Sequence, residues 1–274
     1  MDPLDIEAIE IDLLLEGVYR RYGHDFRRYA RASIERRIRH YRDACGCERV
    51  ADLLPRVLYD EAFFADFLAR FSIPVTELFR DPQVYLSLRR QVLPVLATYP
   101  FLRIWHAGCA TGEEAYSLAI LLEEAGLLAR ATLFATDFND AALERARRGV
   151  YPLEPMREAS RGYHEAGGSG SLADYYHADY DAVVMERRLA RRITFANHNL
   201  VTDGVFTEAH LILCRNVLIY FNHELQERVL GLFAESLVRG GFLCLGSKED
   251  LEFSAVRDRF ETVDARARLY KKRA

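Results

Sequence analysis

The stretch L-R-I-W-H-A-G-C-A-T-G-E-E-A, Leu102 to Ala115, decides the fold. A short apolar run, Leu102 to His106, reads as a buried strand, and the glycine-punctuated turn after it leads into a helical pattern. From here onward short apolar strands alternate with helices, the pattern of a doubly wound α/β sheet with helices on both faces. The spacing predicts seven strands, at Leu102–His106, Ala131–Thr136, Ile193–Asn197, His210–Cys214, Gly241–Gly246, Phe260–Val263 and Arg268–Lys271. The last two lie too close for a helical crossover, so they are expected to form an antiparallel hairpin at the edge of an otherwise parallel sheet.

Upstream, residues 1–75 read as a helical domain, with residues 76–274 forming the second. Asp2 and Pro3 make a helix start, with Ile6, Ile9 and Leu13 expected on its core face. Asp60 is placed to cap a helix whose Phe63, Phe64, Phe67, Leu68 and Phe71 form an aromatic stripe, read as core packing. Between residues 151 and 192 the alternation lapses into an insertion. Gly162, Gly167, Gly168, Ser169, Gly170 and Ser171 mark a flexible loop there. Its later part, Tyr175 to Leu189, offers Tyr180, Val183 and Val184 for a small strand pair, a β-subdomain beside the sheet.

Half of the 274 residues are apolar, and 37 basic against 41 acidic residues leave a net charge of −4, which excludes a disordered or polybasic chain. The apolar run Leu211 to Phe221 is broken by Arg215 and Asn216, too short to span a bilayer. An N-terminus with Asp2, Asp5, Glu7, Glu10 and Asp12 is unlike a secretory signal. The five cysteines form no C-x-x-C ligand set, so neither a disulfide framework nor a metal site is expected, and the cytoplasm is the expected location.

Ligands of open α/β sheets bind beyond the C-terminal strand ends where the strand order reverses. The loop after Leu102–His106 lacks the G-x-G-x-x-G pattern that cradles a pyrophosphate. Glu113 and Glu114 stand where phosphates would sit, which suits a cationic ligand. Taken singly, each acid is also explained by the helix dipole it meets. Asp137, at the tip of the second strand, can accept both hydroxyl protons of a ribose, or serve only as a turn former; Asn139 and Asp140 can cap the helix that follows. A ribose, an ammonium, a sulfonium and no phosphate together describe S-adenosylmethionine.

Three segments then match one family in order: T-E-L-F-R-D-P from Thr76, W-H-A-G-C-A-T-G-E-E-A-Y-S-L from Trp105, and C-R-N-V-L-I-Y-F from Cys214. The chain thereby resembles the CheR-type chemotaxis receptor methyltransferases over almost its full length. The resemblance implies a helical N-terminal domain, a seven-stranded S-adenosylmethionine-dependent methyltransferase sheet and an inserted β-subdomain. It also implies methyl transfer from S-adenosylmethionine to glutamates of chemoreceptor cytoplasmic helices. By the same resemblance Thr76, Arg80, Gly108, Glu113, Asp137, Asn199, Leu200, Asn216 and Val217 bind the cofactor, with Arg80 and Tyr220 near the transferred methyl. The chain departs from the family pattern at Pro74, Leu78 and Ala115.

A glutamate with a pKa of about 4.3 is ionised at neutral pH, so such a transfer needs alignment rather than a general base. Asp81 and Pro82 are expected to start a helix, which fixes Arg80 just before it. Arg27, Arg28, Arg31, Arg36, Arg37, Arg39 and Arg42 are set locally against only Asp25, Glu35 and Asp43. Arg36 and Arg39 point away from Ile34, Ile38 and Tyr41, so they form either a solvated face or a docking surface for acidic receptor helices. The β-subdomain offers an edge for a receptor's C-terminal peptide. Two rivals stay open: a nucleic-acid methyltransferase tracking phosphates with the arginines, and a catalytically silent receptor-binding adaptor.

Overall fold

The structure is a computed structural model; it describes residues 3–71 and 76–273, and the side chains from residue 5 onward within them. Asp2 and Pro74 lie outside the described residues. The chain divides into two compact units, Met1–Ile73 with Ile219–Arg228, and Pro74–Leu218 with Val229–Ala274. The segment Ile219–Arg228, Tyr220 included, thus belongs with the helical unit, although the sequence placed it within 76–274.

The helical unit contains α1 (Pro3–Tyr22), α2 (Arg31–Ala44), α3 (Leu53–Tyr59) and α4 (Glu61–Phe71). Asp60 caps α4, its Oδ1 accepting the N–H groups of Ala62 and Phe63 at 3.0 Å. Phe63, Phe64, Phe67 and Phe71 are buried, as are Ile34, Ile38 and Tyr41 of α2. Helix α1 turns the other way from the expectation. Ile6, Ile9 and Leu13 are 46 %, 49 % and 56 % exposed, whereas Ile11, Leu14, Leu15 and Val18 are buried. The second set recurs at i, i+3, i+4 and i+7, a wider apolar stripe than the first.

The polar side of α1 also changes the reading of the arginines. Arg27 meets Glu16 as well as Asp25, Arg31 meets Asp12 and Glu35, and Arg42 meets Glu7 and Asp43. Arg39 lies 2.6 Å from Glu7 and 3.1 Å from Glu35, while Arg36 stays exposed. Local sequence balance suggested a surplus of positive charge, but acids from another helix neutralise most of it.

The second unit carries α5 (Pro82–Ser87), α6 (Leu93–Leu96), α7 (Glu113–Glu124), α8 (Asp140–Arg148), α9 (Met156–Glu165) and α10 (Arg187–Ala190); α11 (His223–Ser236) begins in the helical unit and ends here. Its strands are β1 (Leu102–Ala107), β2 (Ala131–Asp137), β3 (Val150–Pro152), β4 (Tyr176–Asp179), β5 (Ala182–Met185), β6 (Ile193–Asn197), β7 (Ala209–Cys214), β8 (Leu237–Leu245), β9 (Phe260–Asp264) and β10 (Leu269–Lys272). The main sheet has seven strands in the order β6-β2-β1-β7-β8-β10-β9. Strands β6, β2, β1, β7 and β8 pair in parallel, and β10 runs antiparallel between β8 and β9. The order reverses between β1 and β7, which places a ligand crevice beyond the ends of these two strands.

The insertion holds a second, antiparallel sheet of order β3-β5-β4. The expected pair is β4 and β5, completed by β3, which precedes the insertion's glycines. Tyr180 is not in a strand but in the turn between them, at φ 51° and 95 % exposed. Gly162 is not in a loop either. It lies inside α9, whose Met156, Ala159 and Tyr163 are buried at helical spacing. An added Cβ at Gly162 would come within 3.3 Å of Phe79, so the glycine serves close packing rather than flexibility.

Candidate active site

The loop after β1 is shaped by β2. The N–H groups of Gly108 and Cys109 donate to the Thr136 carbonyl at 2.8 and 2.9 Å. Asp137 organises the rest: one carboxylate oxygen accepts from Ala110 N at 2.9 Å and the other from Asn139 N at 3.0 Å. Asn139 in turn caps α8 by accepting from Ala141 and Ala142. A carboxylate has about four acceptor positions, and the Phe138 N–H also contributes, so acceptor capacity for a hydroxyl donor remains. Burial pushes the Asp137 carboxyl above its usual range, against the lowering effect of those N–H bonds.

Glycine is required at two points of this loop. Gly108 has φ 73°, and a Cβ there would sit 2.4 Å from Cγ2 of Val217. Gly112, at φ 93°, would bring a Cβ within 2.7 Å of the Ala146 Cβ. Gly108 therefore brings the β1 loop against the β7 loop, and Gly112 lets α7 start beside α8. Glu113, in the first turn of α7, is buried and accepts from the Thr111 hydroxyl at 2.7 Å. Burial raises its carboxyl, and the Thr111 hydrogen bond offsets this only in part.

Beyond β7, Asn216 adopts φ 60° and donates its N–H to Glu249 Oε2 at 3.1 Å; the same oxygen accepts from Gly246 at 2.6 Å. The Oδ1 of Asn216 is buried and has no hydrogen-bond partner among the described residues. After β6, Asn199 folds its side chain onto the Val201 N–H at 2.9 Å, beside buried Leu200. Gly108, Asp137, Asn216 and Val217 are thus joined through direct loop contacts. Glu113 follows on the same loop, and Asn199 lies two residues beyond the β6 end that pairs with Asp137.

Arg80 sits in a strained turn. Phe79 at φ 55° and Asp81 at φ 54° flank it, and each left-handed residue with a Cβ costs about 1–2 kcal/mol. As expected, α5 starts at Pro82 with Asp81 in the N-cap position, but the Asp81 side chain bonds no N–H of the helix. It meets Arg215 instead, Nη2 to Oδ2 at 2.6 Å, while Arg215 Nη1 donates to the Arg80 carbonyl at 3.2 Å and to Glu114. Glu114 also lies 3.5 Å from His106 Nε2. Burial works against ionisation of Glu114, but the Arg215 charge and the His106 hydrogen bond outweigh it and hold the carboxyl down to about 2. Glu114 is therefore an internal counter-ion, not a free acid facing a ligand. The sequence paired it with Glu113; one residue along a helix turns the side chain to a different neighbour.

Arg215, Asp81 and Glu249 were missed as a supporting set. Arg215 had one signal, a charge directly after the apolar strand His210–Cys214, where only an internal partner would allow burial. Thr76 is half-buried just before the turn. Tyr220 belongs to the helical unit, where its carbonyl accepts from Ala30 N at 2.8 Å and its ring lies 4.3 Å from the Arg37 guanidinium.

An open sheet of this order, with acids rather than a phosphate cradle at the reversal point, is compatible with an S-adenosylmethionine-dependent methyltransferase. The buried Asn216 oxygen, unpartnered among the described residues, the remaining acceptor capacity of Asp137 and the Glu113 carboxylate fit that nucleoside. Residues 74–269 match the family model described as "CheR methyltransferase, SAM binding domain", and residues 9–72 match "CheR methyltransferase, all-alpha domain". The chain belongs to the CheR methyltransferase family, and its sheet domain binds S-adenosylmethionine. It is 50 % identical over 264 residues to a Pseudomonas putida protein named "Putative methyltransferase Cher3", covering 96 % of this chain and 97 % of that one. A Listeria monocytogenes "Chemotaxis protein methyltransferase" is 32 % identical, over 85 % of this chain and 87 % of its own. An uncharacterized 104.1 kDa protein of Rhodobacter capsulatus is 34 % identical over 90 % of this chain and only 26 % of its own length.

Proposed function

We propose that the protein forms methyl esters on glutamate side chains of chemoreceptor cytoplasmic helices. Bound S-adenosylmethionine supplies a methyl group activated by a sulfonium. Glu113 receives the ammonium of its amino-acid end, Asp137 the ribose hydroxyls, and Asn216 with Val217, Asn199 and Leu200 the adenine side. Thr76 adds a polar contact, and the bare backbone of Gly108 leaves room for close approach.

The observation that carries the reading is the presentation of Arg80 on a turn that the fold strains to keep. A guanidinium forms charge-assisted hydrogen bonds with a carboxylate and aligns it without removing a proton, which suits a nucleophile that is already ionised. Tyr220 is assigned to the methyl acceptor, through its hydroxyl, by the family resemblance alone. Too tight a grip would lower nucleophilicity, so both groups are expected to contribute orientation more than ground-state affinity.

For the receptor helix, Arg36 is an exposed arginine of α2, whereas Arg31, also exposed, meets Asp12 and Glu35 and Arg39 is shared with Glu7 and Glu35. We assign the docking contact to Arg36 first; Arg36→Glu should weaken receptor methylation and leave S-adenosylhomocysteine affinity unchanged, and equal receptor turnover would remove the assignment. The free edge of β4 is the proposed seat of a receptor C-terminal peptide. The acids paired with the α2 arginines weigh against a phosphate-tracking nucleic-acid enzyme.

The test is transfer of label from radioactive S-adenosylmethionine to membranes bearing the source cell's chemoreceptors. Release of volatile methanol by mild alkali supports glutamyl ester formation. Alkali-stable label, or binding of cofactor with no label on any receptor, contradicts it and favours the adaptor reading.

A further inference from the structure

We infer that Arg215 is a positioning residue for methyl transfer, held by Glu114 so that it fixes the turn Phe79–Asp81 and with it the direction in which Arg80 is presented. The inference rests on the reading above in which Arg80 meets the incoming carboxylate. Two consecutive contacts of one guanidinium carry it. Nη1 reaches the Arg80 carbonyl at 3.2 Å and Nη2 reaches the Asp81 carboxylate at 2.6 Å, so the planar fork straddles the peptide between the two residues. A lysine has one nitrogen and lacks this rigid two-nitrogen fork.

The far side of the turn is anchored separately. Phe79 N–H donates to Ser117 Oγ at 2.8 Å, Ser117 donates to the Glu113 carbonyl at 3.0 Å, and the Phe79 ring packs 5.2 Å from Tyr85 and 5.3 Å from Tyr163. The two left-handed residues lie between these anchors. Without Arg215 the turn would keep the Phe79 contacts and the Val84 N–H bond to the Asp81 carbonyl at 2.9 Å but lose the fork that holds the Arg80 carbonyl and the Asp81 carboxylate together, and the strained conformation could relax there.

Arg215 itself has no freedom to follow such a relaxation. Its side chain is 0 % exposed and its charge is balanced by Glu114, which is 6 % exposed and backed by His106. The acid in the second position of α7, the arginine after β7 and the arginine of the turn thus form a chain of contacts from the cofactor loop to the carboxylate-binding group. Asp81, by contrast, is 46 % exposed at its side chain, so its charge can be removed without opening the core.

Asp81→Asn and Arg215→Lys are compared with Arg80→Ala and the double variant Arg80→Ala/Asp81→Asn. A displacement of the guanidinium by about 1 Å corresponds to a loss of roughly 10- to 100-fold in kcat. We expect that loss for both single variants on receptor-bearing membranes, with KM for the methyl donor and S-adenosylhomocysteine affinity by calorimetry within about twofold of wild type. Hydrogen exchange should accelerate in the peptides covering residues 78–84 and stay unchanged in β1 and β2. The double variant should be no slower than Arg80→Ala alone. If Arg215→Lys does not fold, Asp81→Asn decides. Wild-type kcat in Asp81→Asn, or a further loss on adding it to Arg80→Ala, overturns the inference while the role of Arg80 stands. Wild-type turnover in Arg80→Ala overturns that role, and the inference with it.

Discussion

Replacing Glu114 by Gln removes the charge that balances Arg215 in the interior of the sheet unit. Both side chains are enclosed, at 0 % and 6 % exposure, so water cannot take over. Breaking one partner of a buried pair costs roughly 3–5 kcal/mol. With Asp81 still present as a second acceptor, the lower end is expected. Trp105, the chain's single tryptophan, is buried in β1 of the same unit, so its fluorescence during urea unfolding reports this unit. A loss of about 3 kcal/mol should move the midpoint down by roughly 1–3 M, given m-values of about 1–3 kcal/mol/M. The pair should also show acid sensitivity. Its folded carboxyl lies below the unfolded reference of 4.5, so its contribution is complete above that pH and is lost as pH falls toward about 2. Glu114→Gln should lack this acid-dependent component. Replacing both members by apolar residues, Glu114→Leu with Arg215→Met, should recover much of the stability. A midpoint shift below about 0.3 M in Glu114→Gln would refute the reasoning, since it would mean that the buried guanidinium needs no counter-ion.

Gly108→Ala combines a left-handed backbone with a Cβ 2.4 Å from Val217, which should cost roughly 2–4 kcal/mol and lower S-adenosylhomocysteine affinity in calorimetry; unchanged affinity would show that this contact yields freely. Burial raises the carboxyls of Glu113 and Asp137, so each takes up a proton at a higher pH than an ordinary acid. Because the ionised forms are the proposed ligands, affinity should fall with decreasing pH before it reaches 4.5, and Glu113→Gln should flatten that profile. Tyr220→Phe should lower kcat on receptor-bearing membranes while leaving donor affinity in place; equal losses in both would place the hydroxyl at the cofactor rather than the acceptor.

The main sheet was legible because each strand is a short apolar run between helical patterns. Ile193–Asn197 agrees at both ends, and the last two strands form the antiparallel pair that their short separation requires. Strand β8 starts at Leu237 rather than Gly241, since Leu237 and Val238 continue the apolar spacing of α11 and nothing local marks the change. Helix α9 was hidden by Gly162, a residue disfavoured in helices but needed where Phe79 packs against it. At the site, Asp137 and Gly108 could be found because strand ends and tight turns leave local marks. Asp81, Glu114 and Arg215 could not, for their pairing spans 101 and 134 residues and arises only when β1, α7 and β7 are brought side by side. The same limit applies to the arginines of α2. Their partners on α1 are 19 to 35 residues away, so a local charge count overstated the positive surface.

The most direct test of the cofactor pocket is isothermal calorimetry of S-adenosylhomocysteine against the wild-type protein and Asp137→Ala. One site per chain in the wild type and at least a tenfold weaker site in the variant, roughly the worth of one charge-assisted hydrogen bond, is the predicted result. Equal affinity in both proteins would contradict the assignment of the β2 tip to the ribose and, with it, the placement of the nucleoside at the strand-order reversal.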